Sequence, residues 1–200
     1  LFRSVWDTDI PCWLGVGGQY NALKGTGYLR DEGIDDKDFA ETKSKVPCGA
    51  NMFFRREAVA SNGLFREDLG PLFGKPGAAE DTEYCFRMLK AGKKLMYIGD
   101  AVVYHSVEAD KLTKSYLTKW RYYCARSHVR AFGTNSHGSR YFQVPRYLFT
   151  QLISGFIGWH FSANPKRRFY ERLKFFWSVG EVVETYKLEN IFSKGNINPA

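Results

Sequence analysis

Gly77-Ala78-Ala79-Glu80-Asp81-Thr82-Glu83-Tyr84 decides the fold of this chain, because it places two adjacent carboxylates where a helix should begin. The residues from Gly70 to Gly77 are rich in glycine and proline, which predicts an exposed loop. After Asp81 the apolar residues recur at three-and-four spacing, which is typical of a helix face, at Tyr84, Cys85, Met88 and Leu89. The sequence therefore predicts a helix from Asp81 onward, with Glu80 and Asp81 at its N-terminus beside a loop.

The residues alone leave two interpretations of this acid pair open. Asp is a favoured N-cap residue, and acidic side chains near a helix start complement the helix dipole. Such caps are common, so an acid pair of this kind is more often structural than functional. A functional interpretation depends on the segments on either side of the pair.

Length and composition favour one basic, well-packed domain. The 200 residues are 44% apolar and 16% aromatic, which suffices for one core and argues against disorder. The net charge of +8 indicates an anionic partner, and a nucleotide phosphate, a nucleic acid or an anionic membrane surface would each fit. The four cysteines lack disulfide or zinc spacing, so we expect reduced, buried thiols and a cytoplasmic setting for Cys12, Cys48, Cys85 and Cys124.

Residues 1–45 predict a loop-rich segment in which isolated aromatic residues stand among many glycines. Within this segment Asp7-Thr8-Asp9 has the D-x-D spacing with which nucleotide-sugar enzymes hold a metal. Such a pair should end a buried strand, but polar residues interrupt the short run from Leu1 to Trp6. We therefore expect a polar turn before Pro11. The chain lacks an initiator Met, so we also expect a fragment of a longer protein.

Two further segments carry candidate site residues. Gly49-Ala50-Asn51 precedes a predicted short buried strand at Met52 to Phe54 and leaves room for a ligand, although a bulge in an edge strand fits equally. Two short strands, Leu95 to Ile98 and Ala101 to Tyr104, should follow the acidic helix, with His105 at the end of the second. A single His is more often structural than a ligand, yet strand ends are where α/β folds place chemistry.

The rest of the chain predicts helices that are rich in aromatic and basic residues. Leu112 to Val129 should form one helix, and residues 144–186 contain two amphipathic segments separated by Asn164-Pro165-Lys166-Arg167-Arg168. Polar residues interrupt the first segment too often for it to span a bilayer. The two segments either lie on a membrane surface or pack together with solvated Lys and Arg, and both interpretations stay open.

Taken in order, these segments resemble the C-terminal half of the family 2 glycosyltransferases, which are inverting enzymes of the GT-A fold. The resemblance covers roughly residues 46–130 and is carried by Pro47 to Arg56, Gly63-Leu64-Phe65, Glu80 to Tyr84 with Arg87, Ala91-Gly92-Lys93 and Tyr104-His105. Pro11-Cys12-Trp13-Leu14 is also similar to a P-x-W-L segment of some members. Beyond Val129 the likeness is only to the habit of ending in amphipathic, membrane-facing helices.

The resemblance implies an α/β fold, namely a partial GT-A domain that lacks the N-terminal nucleotide-binding βαβ half. It divides the chain into residues 1–130, the acceptor-side half, and residues 131–200, a basic helical region with a frayed tail. Because the P-W-L segment follows the D-x-D motif in the family, Asp7 and Asp9 are expected to be decoys. The D-x-D ligands are then missing from this chain, which puts activity of the chain alone in doubt.

The implied activity is transfer of a sugar from a nucleotide-sugar donor to an acceptor hydroxyl with inversion. Asp81 matches the general base and Glu80 its neighbour, which orients the acceptor or contacts the metal shell. His105 matches a position that completes the shell of a Mg²⁺ or Mn²⁺ ion in some members. The sugar pocket would be lined by Gly49, Ala50 and Asn51, and Lys111 could reach the diphosphate. We expect Arg87 to pair with an acid of its own helix.

The implied partners are the nucleotide-sugar donor, a glycan or lipid-linked acceptor, and the inner face of a membrane through residues 144–186. Two alternatives treat the acid pair only as a helix cap. In one the chain is a peripheral membrane module; in the other it is a basic module that binds nucleic acid. No RNA- or DNA-binding signature is present and the aromatic residues fall at core spacing, so we do not expect a nucleic-acid partner.

Overall fold

The computed structural model of the chain describes residues 2–23, 29–30, 33–41, 46–47, 49–71, 74–134 and 138–194. Over these residues the protein is a mixed α/β structure, about 51% helical, with few and short strands. The predicted α/β class is confirmed at this coarse level.

A three-stranded mixed sheet has the first strand of the chain at its centre. Strand β1 (Phe2–Trp6) pairs antiparallel with β2 (Leu29–Arg30) and parallel with β5 (Val103–Val107). The parallel register ends with Trp6 opposite Val107, so the carboxyl ends of β1 and β5 lie at the same edge of the sheet. The loop prediction for residues 1–45 was therefore wrong for this segment. Pairing on both sides forms the strand despite its polar residues, and a sequence does not show such partners.

Two further pairs of short strands are antiparallel. Strand β3 (Lys37–Asp38) pairs with β4 (Met96–Tyr97), and β6 (Arg140–Tyr141) pairs with β7 (Val144–Pro145). Strand β4 lies within the predicted strand at 95–98. The second predicted strand is displaced along the chain, because β5 starts two residues later than expected and runs on past His105.

Five α-helices occur in the part of the chain that the structure describes: α1 (Arg56–Asn62), α2 (Glu80–Lys90), α3 (Lys114–Phe132), α4 (Arg146–Phe161) and α5 (Pro165–Lys194). The three-and-four spacing of α2 is confirmed, since Tyr84, Cys85 and Met88 are buried. Thr113 caps α3 by accepting a hydrogen bond from the backbone N–H of Tyr116. None of the helices in the described ranges is long and apolar enough to cross a membrane.

The predicted buried strand at Met52 to Phe54 does not form. These residues have no regular structure, and the side chain of Phe53 is 88% exposed. Gly49 and Ala50 form a turn, so the bulge interpretation was also wrong. The segment has no strand partner, and the ring of Phe54 instead packs edge-on against Tyr84, with a centroid distance of 5.2 Å.

One hydrophobic core joins the N-terminal segment to the C-terminal helices. Helix α5 packs against both α3 and α4. The core cluster contains Leu14, Ala22, Leu23, Val107, Leu112, Leu117, Phe169 and Leu173. Trp13 packs edge-on against Phe169 with a centroid distance of 4.6 Å. The residues of this core come from both sides of the boundary drawn at residue 130.

A buried ion cluster also connects the C-terminal helix to the rest of the fold. Glu184 of α5 is 2% exposed and contacts two arginines of α3, Arg126 at 2.6 Å and Arg130 at 3.4 Å. Arg130 in turn donates a hydrogen bond to the carbonyl of Asp68, in the loop before the acid pair. Arg66 of the same loop donates to the carbonyl of Arg130. Helix α5 therefore holds this loop in place through α3.

The cysteines within the described residues are free thiols. Cys85 and Cys124 are buried, as predicted, whereas Cys12 is exposed. Cys12 lies in the loop after β1, and its neighbours Trp13 and Leu14 turn into the core instead. Cys48 lies outside the described residues.

Candidate functional site

Glu80 and Asp81 are the first two residues of α2, so the helix begins one residue earlier than predicted. The N-cap is Ala79, which has a left-handed backbone (φ 79°) and makes no side-chain cap bond. Asp81 is therefore not the N-cap. Its Oδ1 nevertheless accepts a hydrogen bond from the backbone N–H of Thr82 at 2.6 Å, which satisfies one of the unpaired N–H groups at the helix start.

The carboxylate of Asp81 contacts the small-residue segment that the sequence singled out. The backbone N–H of Gly49 donates to Oδ2 of Asp81 at 2.9 Å, across 32 positions of the chain. A Cβ added at Gly49 would lie 3.1 Å from that oxygen, which explains the need for glycine at this contact. Oδ1 also accepts a bond from the hydroxyl of Thr82 at 3.1 Å. Asp81 is thus held on both oxygens while remaining partly exposed.

Glu80 lies against the loop on the other side of the helix start. A Cβ added at Gly70 would lie 3.0 Å from Cδ of Glu80, so the loop backbone covers this carboxyl group closely. Its Oε2 is buried and has no hydrogen-bond partner among the described residues. Burial raises the pKa of Glu80, and the neighbouring charge of Asp81 raises it further. Glu80 therefore keeps its proton to a higher pH than an ordinary glutamate.

Helix α3 contributes Cys124 to the surroundings of the acid pair. Burial raises the pKa of Cys124 far above its usual range, and the charges of Glu80 and Asp81 act in the same direction. The thiol stays protonated at neutral pH and is not a nucleophile.

Asn51 anchors the segment that contacts Asp81. Its side-chain N–H donates to the carbonyl of Ala101 at 2.8 Å, in the chain that leads into β5. Ala50 is exposed between Gly49 and Asn51. Of the three predicted pocket residues, Gly49 therefore touches the acid pair, Ala50 faces solvent and Asn51 fixes the backbone between α2 and the sheet.

His105 lies in the interior of β5, so its predicted position at a strand end was wrong. Its Nδ1 is 2.7 Å from the carbonyl oxygen of Ser106. A carbonyl can only accept, so Nδ1 carries the proton and the lone pair of a neutral ring is on Nε2. This tautomer suits a metal ligand. However, the described residues contain no group of three or more His, Cys, Asp or Glu side chains that could hold a metal ion.

Lys111 is engaged by a neighbouring acid. Its Nζ lies 3.0 Å from the carboxylate of Glu108, and this hydrogen bond raises the pKa of Lys111. The charge that we expected to meet a diphosphate is therefore shared with Glu108. Arg87 forms the ion pair predicted within its own helix, with Nε 3.0 Å from Glu83, and this prediction is confirmed.

Asp7-Thr8-Asp9 follows β1 directly, so a strand does precede this motif, although its Val5 is 47% exposed. The chain bends at Asp7 and Thr8, where we expected a polar turn. Asp7 accepts a hydrogen bond from the hydroxyl of Ser106 at 2.7 Å, which joins the edges of β1 and β5. An open cavity of about 710 Å³ is lined by residues 6–10 and not by the acid pair. A strand that ends at a D-x-D motif is the sequence feature that could have pointed to this cavity. It was overlooked because Arg3 and Ser4 interrupt the apolar run.

Comparison with known proteins adds nothing to these observations. No family model matches the chain, and no curated protein or solved structure matches it. The resemblance to family 2 glycosyltransferases therefore stays a prediction that rests on the sequence motifs.

Proposed function

We propose that the chain forms the acceptor side of an inverting glycosyltransferase of the GT-A type, with Asp81 as general base. The observation that carries the proposal is the hydrogen bond from the backbone of Gly49 to the carboxylate of Asp81. Two segments chosen from the sequence for the same pocket meet at this bond, at the exposed start of a helix. A carboxylate held in this way by its neighbours is suited to receive a proton in a fixed direction.

The chemistry needs one proton acceptor beside the reacting hydroxyl. The acceptor oxygen forms a bond to the anomeric carbon while the bond from that carbon to the diphosphate breaks on the opposite face. The hydroxyl proton passes to a carboxylate in the same step. Oδ2 of Asp81 accepts one bond, from Gly49, and a carboxylate oxygen has room for a second donor. The hydroxyl of an acceptor would take that place.

Glu80 is proposed to orient the acceptor. Its buried Oε2 has no partner among the described residues, and leaving such an atom unpaired costs stability unless a ligand satisfies it. A carboxyl group with a raised pKa can donate as well as accept a hydrogen bond near neutral pH. An acceptor hydroxyl next to Asp81 would meet both needs once the loop at Gly70, which covers Oε2, moves aside.

The described residues do not form a metal site by themselves, so no step of this proposal runs through a metal. Mg²⁺ or Mn²⁺, if bound, would neutralise the diphosphate of the donor. His105 is proposed as one ligand at most, through Nε2. The remaining ligands would come from outside the described residues.

The test is the Asp81→Asn variant of the natural full-length protein, assayed for release of nucleoside diphosphate from a panel of nucleotide-sugars. We expect transfer to fall by about 10²–10⁴-fold, the usual contribution of a general base, with donor binding unchanged. Asp100→Asn is the matched control, because Asp100 is exposed in the turn between β4 and β5. Near-normal turnover of Asp81→Asn would remove Asp81 from the mechanism.

The helix-cap interpretation has its own support in the bond from Thr82 to Asp81 and makes a different prediction. If Asp81 only caps α2, its replacement by Ala lowers the stability by about 0.5–2 kcal/mol. Asp81→Asn would then leave any activity near normal once the folded fraction is corrected for. Activity and urea denaturation measured on both variants separate the two roles.

A further inference from the structure

The outward face of α4 is largely apolar, although Thr150 and His160 are also exposed on it. Ile153, Ile157 and Phe161 are 61%, 52% and 79% exposed, and Phe156 is 46% exposed beside them. Residues three, four and eight positions apart share one side of a helix, so these side chains form one continuous patch. Exposed apolar groups are usually scattered singly on a soluble surface, and a contiguous patch indicates a binding surface.

The opposite side of α4 already has its packing partner. Leu148 and Gly155 are buried, and a Cβ added at Gly155 would lie 3.1 Å from the backbone of Phe175 in α5. Helix α5 buries Phe169 and Leu173 in the core. Of the two segments left open by the sequence, α5 packs into the core, and α4 presents an uncovered apolar face among the described residues.

Basic residues stand at both ends of this face. Arg146 begins α4 seven residues before Ile153, which places it on the same side of the helix. Lys166 and Arg167 are exposed just beyond the other end, and neither forms an ion pair with any residue that the structure describes. Arg168 is exposed next to them.

The sequence around α4 contains no acid to neutralise these charges. From Lys111 to Tyr170 there is no Asp or Glu at all. The first acid of α5, Glu171, is 12% exposed and pairs with Lys174 at 2.9 Å. The surface presented by α4 therefore combines an apolar centre with a positive rim.

We propose that the outer face of α4, with Arg146 and Lys166-Arg167-Arg168 at its ends, binds a membrane surface that contains anionic lipids. An apolar helix face enters the boundary between headgroups and acyl chains, while basic residues at its ends meet anionic headgroups. A helix with one apolar face lies in the membrane plane with that face toward the acyl chains. The 16 residues of α4 give a contact about 24 Å long.

The centre of the patch argues against nucleic acid as the occupant. Single strands are held by stacking of bases on aromatic rings beside basic residues. Ile153 and Ile157 occupy the middle of the face and offer no ring for stacking, and the rings of Phe156 and Phe161 lie to either side of them. Aliphatic side chains at this position suit acyl chains. The proposal goes beyond the glycosyl transfer proposed above and does not depend on it.

The test is co-sedimentation of the chain with phosphatidylcholine vesicles, prepared with and without phosphatidylglycerol, at low and high salt. We expect binding to the vesicles with phosphatidylglycerol, weakened by salt. The double variant Ile153→Ser/Ile157→Ser should lower the partition coefficient by about tenfold or more. The matched control is Ile34→Ser/Leu64→Ser, because these two aliphatic residues are 76% and 77% exposed elsewhere on the surface.

A second pair of variants tests the charges. Lys166→Glu/Arg167→Glu should lower the partition coefficient by about thirtyfold or more. Lys90→Glu/Lys93→Glu makes the same charge change at two exposed lysines at the end of α2 and just after it. All the substituted side chains are exposed, and unchanged urea midpoints would show that each variant is folded.

Three outcomes would overturn the proposal. The first is no binding to the anionic vesicles, and the second is an equal loss in test and control variants. The third is binding of a mixed-sequence oligonucleotide that depends on Lys166 and Arg167 but not on Ile153 and Ile157, without vesicle binding. That result would assign the face to nucleic acid.

Discussion

Replacing Glu184 by Gln should destabilise the fold strongly, because its carboxylate is buried between two arginines. Glu184 is 2% exposed and contacts Arg126 and Arg130, which are each 22% exposed. Burial lowers the pKa of Arg126, but the hydrogen bond and charge of Glu184 outweigh burial and leave it raised. The fold therefore favours the charged guanidinium, and the variant would leave two largely buried arginines without their carboxylate.

The magnitude follows from the cost of breaking a buried pair. Removing one partner of such a pair costs about 3–5 kcal/mol, and Gln keeps a hydrogen-bond acceptor, so we expect about 3 kcal/mol. With a urea dependence of about 2 kcal/mol per molar for a chain of this size, the unfolding midpoint should fall by about 1.5 M. Glu189 of the same helix pairs with Arg140 at 2.7 Å, with the two side chains 39% and 31% exposed. Glu189→Gln should cost only about 0.5 kcal/mol.

Urea denaturation followed by tryptophan fluorescence measures both variants, and urea leaves ion pairs unscreened. Added salt should weaken the effect of Glu189→Gln and hardly change that of Glu184→Gln, since a buried pair is screened much less. The reasoning is refuted if the two variants lower the midpoint equally. It is also refuted if Glu184→Gln responds to salt as the exposed pair does.

Three further predictions concern the acid pair and the helix packing. Folding raises the pKa of Glu80. The protonated side chain therefore stabilises the fold fully below the pKa that Glu80 has in the unfolded chain, and this stabilisation is lost as pH rises through its pKa in the folded protein. Glu80→Gln should therefore gain stability relative to wild type as pH rises, and urea midpoints at acidic and neutral pH measure this; an equal difference at both would contradict it. Gly70→Ala should destabilise the fold more than Gly74→Ala. Both glycines have positive φ, which costs an alanine about 1–2 kcal/mol in either case, but only a Cβ added at Gly70 meets Glu80. Equal shifts of the melting temperature would refute the contact. Gly180→Ala should cost about 1–3 kcal/mol, since its Cβ would lie 2.4 Å from the carbonyl oxygen of Tyr122; a neutral thermal shift would mean that α3 and α5 cross elsewhere.

The elements that could be predicted from the sequence are those set by local periodicity. Helix α2 shows its buried face at Tyr84, Cys85 and Met88, and α3 was predicted within three residues at each end. The side chain of a helical residue depends on neighbours three and four positions away, so the pattern is visible within a short window. Apolar spacing therefore predicted where these two helices lie, although it did not predict the burial of Leu117 and Ala125 in α3.

Strands and long-range contacts could not be predicted in the same way. Strand β1 exists because β2 and β5 pair with it, and Met52 to Phe54 form no strand because nothing pairs with them. A strand is stabilised by partners that lie far away in the chain, so a short apolar run alone does not show whether a strand forms. The same limit hid the true position of His105 within β5.

Within the candidate site, the acid pair could be picked out from the sequence, but the surroundings of its two side chains could not be predicted because they depend on packing. The Gly49 segment was chosen for its small residues, and the structure places its backbone on Asp81. Nothing in the sequence indicated that Gly70 would cover Glu80 and raise its pKa. That effect depends on a loop closing over a side chain, which is a matter of tertiary contact.

The loop over Glu80 is also connected to the C-terminal helix through α3. Its residue Asp68 is bound through its carbonyl to Arg130, and Arg130 is held by Glu184 of α5. Gly70, which covers Glu80, is only two residues further along. The backbone N–H of Gly70 also donates to the carbonyl of Ala78, so the loop has its own contact with the segment before α2. Glu184 therefore supports the loop over Glu80 indirectly, from a helix that the resemblance to glycosyltransferases does not cover.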